Sequence, residues 1–290
     1  MNKEQDKKNG SGNSGPSRIP TDKPTSVLSP PGLVSILIPC CGQLEYTKLC
    51  IPALLRHTRD PFELLFLDIG SLDGTAEYLA GVTAGARDVR IEVIRTATDL
   101  GIADAVNDAL KLARGQYLVL LNNDTIVVEG WIQQLTGLAT MAPEIGLVGP
   151  MSNYAAPPQL VEAVPYRIGP KKSGSRSAKD PLVDTESVNE FAKKIREEHR
   201  GKWIQVDRLG GFCLLAKREV LKKIEATSSL KEWTDLKLFD TDILSNKARQ
   251  AGYTLACCRD LYIHHFGSRV FAHGAPDEDG KPKWQEMRTS

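Results

Sequence analysis

Between Leu33 and Leu121, short apolar runs alternate with segments of helical spacing, and this alternation constrains the fold more than any other feature of the chain. Leu33 to Ile38 is a continuous apolar run ended by Pro39, the pattern of a strand buried on both faces. Glu45 to His57 places Tyr46, Cys50, Ala53, Leu54 and His57 at helical spacing, and Pro52 inside it is expected to kink or shorten the helix. Leu64 to Leu67, Ile91 to Ile94 and Tyr117 to Leu121 read as further strands, with helices near Gly74 to Leu79 and Ile102 to Ala113 between them. A βαβαβαβ order forms a parallel sheet with right-handed crossovers, so the expected class is α/β: a Rossmann-like, mostly parallel central sheet with helices on both faces.

The second half is less regular. Helices are expected at Trp131 to Met141, Val188 to His199, Glu219 to Ile224 and Thr241 to Gln250, and strands at Ile145 to Val148, Phe212 to Ala216 and Leu261 to His264. The Pro- and Ser-rich stretch from Ser152 to Asp184 reads as a mobile loop. Met1 to Pro31 has scarcely an apolar residue to offset its ordering entropy and is expected to be disordered, and the chain turns polar again from Ala275 to Ser290. No internal repeat is present.

Charge narrows the partners. The 290 residues carry 37 Lys and Arg against 36 Asp and Glu, a net +1, so no global field favours nucleic acid or an anionic membrane. Any anion site must be local. The basic cluster Lys171, Lys172, Arg176 and Lys179 reads as a solvated loop, with guidance of an anionic acceptor as the alternative. No run approaches the roughly 18 to 20 apolar residues that span a bilayer, and Met1 to Lys8 does not lead into a signal-peptide core, so the cytoplasm is the expected compartment. The six cysteines form no Cys-x-x-Cys pair and read as reduced, buried thiols rather than a zinc knuckle or a disulfide framework.

In an open α/β sheet the ligand lies beyond the carboxyl ends of the strands, and those positions are polar here: Pro39 to Gln43, Asp68 to Thr75 and Asn122 to Thr125. Asp68 ends a buried strand, where a carboxylate is costly without a partner. Asp73 either helps to hold a base or ribose or simply caps the helix that follows. Asn122, Asn123 and Asp124 offer oxygen donors suited to a hard divalent cation, or else only satisfy the backbone of a turn. Gly210 and Gly211 either admit close approach of a ligand or form a turn. Asp240 and Asp242 begin a helix, where carboxylates suit the positive end of the macrodipole, and the functional reading is a general base. Of His264 and His265, strand alternation aims one into the site.

Taken in order, the strings VSILIPCCG, LDIGSLDGT, DLGIADAVNDALKLARGQYLVLLNNDTIVVEGW, GGFCLLAKREV, FDTDILSNKARQAGY and IHHFGS resemble the inverting family-two glycosyltransferases of GT-A fold, over roughly 33–274. The resemblance implies a catalytic domain at 33–274 between tails at 1–32 and 275–290, with a nucleotide-sugar half at 33–150 and an acceptor half at 151–274 containing the loop at 152–184. It implies that Pro39, Cys40 and Asp68 line the nucleoside pocket, that Gly101 and Asn107 lie on the segment closing over the nucleotide, and that Asn122, Asn123 and Asp124 match the Asp-x-Asp element holding Mn or Mg against the diphosphate. Gly210 and Gly211 fall in the substrate-binding strings. Asp242, or Asp240, matches the base that deprotonates the acceptor hydroxyl, and His265 rather than His264 approaches the metal or diphosphate.

The implied partners are a UDP-, GDP- or dTDP-sugar donor and a glycan or lipid-linked acceptor, as in bacterial cell-surface polysaccharide synthesis. Nucleic acid is not among them. Peripheral association with the inner face of a membrane is compatible with such an acceptor. Ile69, Asp99 and Asn122 depart from the residues usual at their positions, and Asp240-Thr241-Asp242 splits the usual adjacent acidic pair. Two further readings stay open: a degenerate domain that binds a nucleotide sugar or glycan without turnover, and a nucleotidyltransferase, for which a basic Gly-rich loop near the first strand is missing.

Overall fold

The first strand forms where the apolar run predicts it, and its neighbours follow. In the computed structural model, which describes residues 31–85, 88–96, 102–166, 185–227 and 241–267, β1 (Val34–Cys40) lies between β2 (Phe62–Ile69) and β4 (Tyr117–Leu121), parallel to both. β3 (Arg90–Thr96) adds in parallel outside β2. All seven residues of β1 and all five of β4 are buried, as expected for strands covered on two faces. Beyond β4 the sheet continues with β8 (Cys213–Lys217), β6 (Ile145–Met151), β9 (Thr254–Tyr262) and β7 (Trp203–Val206), in the order β3-β2-β1-β4-β8-β6-β9-β7. β8 runs antiparallel to both of its neighbours and β7 to β9, while β6 and β9 are parallel.

The order explains the layers. Right-handed crossovers from β1 to β2 and on to β3 put α1 (Leu44–His57) and α2 (Thr75–Gly85) on one face, and the return from β3 to β4 puts α3 (Ile102–Leu112) on the other. On the α1 side, α4 (Trp131–Met141) donates Trp131 Nε1 to Thr58 Oγ1 at 3.0 Å, and Asn189 of α5 (Thr185–His199) lies 3.4 Å from His57. On the other face Val106 and Leu110 of α3, Leu221 of α6 (Arg218–Thr227) and Leu244 of α7 (Thr241–Gln250) meet Leu37, Leu118, Leu120 and Leu214. The chain reverses direction across the sheet between β1 and β4, the topological switch point where α/β sheets open a crevice.

Several expectations need correction. α1 runs through Pro52 without a break. Pro52 and Lys48, whose carbonyl loses its partner, are both on the solvent side, and the buried face of Thr47, Cys50, Ile51, Ala53 and Leu54 keeps the helix in place. Of the stretch read as a loop, 152–166 is described and is anchored at two points: Ser152 and Gln159 are buried, and Ser152 exchanges backbone hydrogen bonds with Gln159 and Val161 at 2.8 Å. The last strand ends at Tyr262, and His264–His265 form a separate strand, β10, antiparallel to β5 (Thr125–Ile126). The register of β6 on β9 jumps from Pro150↔Cys258 to Met151↔Tyr262, and this bulge redirects the chain toward β5. The six cysteines are free thiols, five of them buried. No described helix is long and apolar enough to cross a membrane. The basic cluster at 171–179 and both tails lie outside the described residues.

Candidate active site

Parallel register sets the first wall of the crevice. Cys40 stands level with Asp68, and Asp68 with Arg95. Asp68 is fully buried, accepts from Ser71 N at 3.2 Å through Oδ1, and has Oδ2 at 3.3 Å from Nε of the exposed Arg95. Its cost of burial is therefore offset by an ion pair, yet Oδ2 has no hydrogen-bond partner among the described residues. Cys40 turns its thiol to Ile38 O at 3.6 Å, and burial pushes its pKa well up. Pro39 is buried in β1 beside it. The chain leaves β1 through Gly42 and Gln43, both left-handed at φ 67 and 65. Gly42 N is held by Ser71 Oγ at 2.9 Å and Leu44 N by Asp73 Oδ2 at 2.9 Å.

Asp73 also accepts from Thr75 N at 3.2 Å and Thr75 Oγ1 at 2.6 Å, so its role is to start α2 and pin the entry to α1. Burial raises its pKa, but these hydrogen bonds outweigh that and hold the carboxyl below its ordinary range.

The second wall follows β4. Asn122 N donates to Phe212 O at 2.9 Å, fastening this turn to the segment before β8. Asn123 donates through Nδ2 to Thr47 Oγ1 at 2.8 Å and Gly42 O at 3.2 Å, bridging the two strand ends at the switch point, and its buried Oδ1 has no hydrogen-bond partner among the described residues. Asp124, fully buried, precedes β5, and the pairing His265↔Thr125 brings His265 Nε2 to 3.4 Å from Asp124 Oδ1.

The imidazole is held from all sides. Phe212 stacks on it at 5.3 Å, Tyr154 meets its edge at 5.4 Å, and Nδ1 lies 2.9 Å from Tyr154 O. A carbonyl only accepts, so Nδ1 donates to it, and Nε2 is left facing the carboxylate, either as the second N–H of an imidazolium or as a lone pair open to a cation. Two electron-rich atoms so placed need a proton or a cation between them. His264 points away, with Nδ1 3.0 Å from Tyr166 Oη, and burial, followed by the neighbouring His265, lowers its pKa to about 4.

This pair fits a divalent cation. Oxygen and nitrogen ligands bound at about 2.1 Å and at right angles stand about 3 Å apart, close to the separation here. No group of three or more His, Cys, Asp or Glu stands together among the described residues, so substrate oxygens and water would complete the shell, a mode typical of Mg and nucleotide phosphates.

The third wall carries the glycines and α7. Gly210 N donates to Gln159 Oε1 at 2.7 Å, and a Cβ on Gly211 would stand 3.0 Å from Thr241 Cγ2. The close approach that Gly211 permits is thus of α7 to this loop. Asp242, in the first turn of α7, is 60% exposed and pairs with Arg208 at 3.5 Å. Gly101 and Asp240 lie outside the described residues, as does the side chain of Asn107.

Of the residues expected at the site, Asp68, Asn122, Asn123, Asp124 and His265 converge on the switch point. Asn153, Tyr154 and Phe212 were missed. Ser152 to Tyr154 follow the apolar run Ile145 to Met151, and the strand-end rule applied to that run would have found them. The Phe212 stack and the approach of Arg95 had no local signal.

Comparison with known proteins bears on the family and the fold. Residues 35–224, well over half the chain, match the family model described as Glycosyl transferase family 2. Among curated relatives, an uncharacterized protein of Sinorhizobium fredii, y4gI, is 28% identical over 243 residues, 82% of this chain and 25% of its own length. The glycosyltransferase GlyG of Streptococcus pneumoniae is 28% identical over 36% of this chain and 34% of its own, and the uncharacterized glycosyltransferase EpsJ of Bacillus subtilis is 34% identical over 36% and 29%. The chain thus spans about a quarter to a third of the length of these relatives.

Among solved structures, mannosyltransferase PcManGT from Pyrobaculum calidifontis, in complex with GDP-Man and Mn2+, superposes with TM-score 0.53 at 16% identity, covering 85% of this chain and 58% of that one. GalNAc-T7 with UDP, GalNAc and Mn2+ superposes with TM-score 0.55 at 19% identity, covering 80% and 43%. The fold is the Rossmann-like GT-A fold of these enzymes. With that fold, the crevice at its switch point and the family match in hand, the chain belongs to glycosyl transferase family 2.

Proposed function

We propose that this domain is a metal-dependent, inverting glycosyltransferase that moves a sugar, a hexose in the simplest case, from a UDP-, GDP- or dTDP-sugar to a hydroxyl of a glycan or lipid-linked acceptor. The observation that carries the reading is the buried Asp124 and His265 pair, 3.4 Å apart just past the end of β4, at the same end of the sheet as Asp68 two strands away on β2. Asp68 Oδ2 accepts an N–H of the base, with Arg95 as its neighbour. Asp124 and His265 would hold a Mn or Mg ion, whose chemistry there is to offset the charge that develops on the departing diphosphate. Asp242, exposed at the start of α7, takes the proton of the acceptor hydroxyl as its oxygen attacks the anomeric carbon. The bond from that carbon to the diphosphate breaks on the opposite face, the diphosphate leaves with the electron pair, and the anomeric centre inverts.

Mn2+ in two superposed structures supports a cation, and the nucleotides there support this donor class. Relatives include mycobacterial PGL/p-HBAD biosynthesis glycosyltransferases, 33% identical over 33% of this chain, which supports a role in glycan or glycolipid synthesis. As part of the same proposal, we place the domain in the cytoplasm, peripheral at the inner face of a membrane. One observation favours the degenerate, binding-only reading: Asn122 stands where the metal motif usually has its first carboxylate.

The test is thermal shift against a panel of nucleoside diphosphates and nucleotide sugars, with and without Mn or Mg, followed by product analysis with the stabilising donor. Metal-dependent stabilisation by one donor family and release of free nucleoside diphosphate are expected. Pyrophosphate release would sink glycosyl transfer in favour of a nucleotidyltransferase. Stabilisation without turnover on any glycan or lipid-linked acceptor would leave the binding-only reading.

A further inference from the structure

β10 is two residues long, so its pairing with β5 alone gives His265 little rigidity. A second device holds it. Asn153 Nδ2 donates to His265 O at 2.9 Å while Asn153 Oδ1 accepts from His265 N at 2.9 Å, so one side-chain amide grips both backbone groups of one residue, and its orientation is fixed at both ends. The same Oδ1 accepts from Tyr262 Oη at 3.0 Å. A phenol has a single proton. Having donated it to Asn153, Tyr262 must accept from Tyr166 Oη, 2.5 Å away, and Tyr166 must in turn accept from His264 Nδ1 at 3.0 Å. The bonds therefore run one way, from His264 through Tyr166 and Tyr262 to Asn153 and the backbone of His265. Meanwhile the carbonyl of the next residue, Tyr154, accepts from His265 Nδ1. Each step leaves one choice of donor, so the chain specifies a single arrangement.

We infer that Asn153, backed by Tyr262 and Tyr166, is a positioning residue that aims the Nε2 lone pair of His265 at a divalent cation shared with Asp124. The inference rests on the reading of His265 and Asp124 as cation ligands. Asn153 touches neither cation nor substrate; it acts through the backbone and tautomer of His265. Groups of this kind behind a metal ligand commonly change affinity 10- to 100-fold when replaced, roughly the range expected here.

The experiment measures Mn(II) affinity, with the metal alone, from the electron paramagnetic resonance signal of the free ion, on the full chain and its Asn153→Asp, Tyr262→Phe, Asp124→Ala and His265→Ala variants. Nitrogen-15 NMR of the histidine rings, in the metal-free protein, reports the tautomer, and a cooperative melt in chelator establishes that each variant is folded. Asn153→Asp keeps the acceptor but sets an oxygen against His265 O; it is expected to weaken Mn(II) binding about 10-fold or more and to lose the single Nδ1–H tautomer at His265. Tyr262→Phe removes only the backing bond, with a smaller loss in the same direction. Folded Asn153→Asp and Tyr262→Phe proteins with wild-type Mn(II) affinity and an unchanged tautomer would overturn the inference. If Asn153→Asp does not fold, Tyr262→Phe decides alone. Wild-type affinity in Asp124→Ala and His265→Ala is a separate result: it removes the cation site itself, and the inference with it.

Discussion

At Asp124 and His265 a change of a few atoms is expected to abolish a function while leaving the fold in place. Because the two act as one site, Asp124→Asn and His265→Ala should each lower kcat/KM about 100-fold, roughly 2.7 kcal/mol of transition-state stabilisation, and the double variant should be little worse than either. Additive losses in that cycle would mean that they serve separate steps. Asp242→Asn should behave differently, with kcat falling about 100- to 10,000-fold and the metal-dependent nucleotide thermal shift retained. Loss of that shift would place Asp242 in donor binding instead. Asp124 stood out in the sequence only through the ordered set of strings around it, because a polar turn after a strand is by itself more often just a turn. Asn153 did not, because its importance lies in two backbone groups more than a hundred positions away.

At the scale of elements, the crevice depends on how strands are entered and left. Asp73 joins the start of α2 to the start of α1, so Asp73→Ala should cost about 1–2 kcal/mol and lower the melting temperature by several degrees. An unchanged melting temperature would show that the cap is dispensable. Gly115, at the entry to β4, has no space for a side chain: a Cβ there would lie 2.5 Å from Ser35 N and 2.7 Å from Tyr117 O, both backbone atoms. Gly115→Ala is expected to destabilise by about 2–3 kcal/mol in denaturant unfolding, because backbone on both sides cannot yield without moving a strand. Strands β1 to β4 were readable from apolar runs bounded by turn residues. β5, β7 and β10 were not: two are two residues long, and β7 exposes much of its surface and is held by pairing with β9.

For the whole molecule, the edge of the sheet opposite the crevice is tied by one buried carboxylate. Glu63 accepts from Ser35 Oγ and Arg114 N at 2.6 Å, from Arg90 Nη1 at 2.6 Å and from Arg114 Nε at 3.1 Å, which joins β1, β2, β3 and the entry to β4. Burial raises its pKa, but the four hydrogen bonds outweigh burial and the folded pKa lies below the ordinary value. A carboxyl lowered in the folded state stabilises above its unfolded pKa of about 4.3, and that contribution is lost as pH falls through this value toward the folded one. Glu63→Gln should therefore cost about 3 kcal/mol at pH 7, with a shallower loss of stability below about pH 4.5 than wild type, read from melting curves across pH 3–7. Parallel curves would assign the acid sensitivity to other groups.

The alternation of apolar runs and helical segments was enough to determine the α/β class, the first four strands and the polar strand ends, because burial on two faces and helical spacing are written in neighbouring residues. The sequence also carried the candidates Asp68, Asn122, Asn123, Asp124 and His265. Only the tertiary structure decided which of them meet. The switch point between β1 and β4, the β9 bulge that carries His265 to Asp124, and the turn of Asn153 toward both are set by pairings between distant segments. Such pairings follow from how the whole sheet closes its hydrogen bonds, and no local pattern of side chains records them.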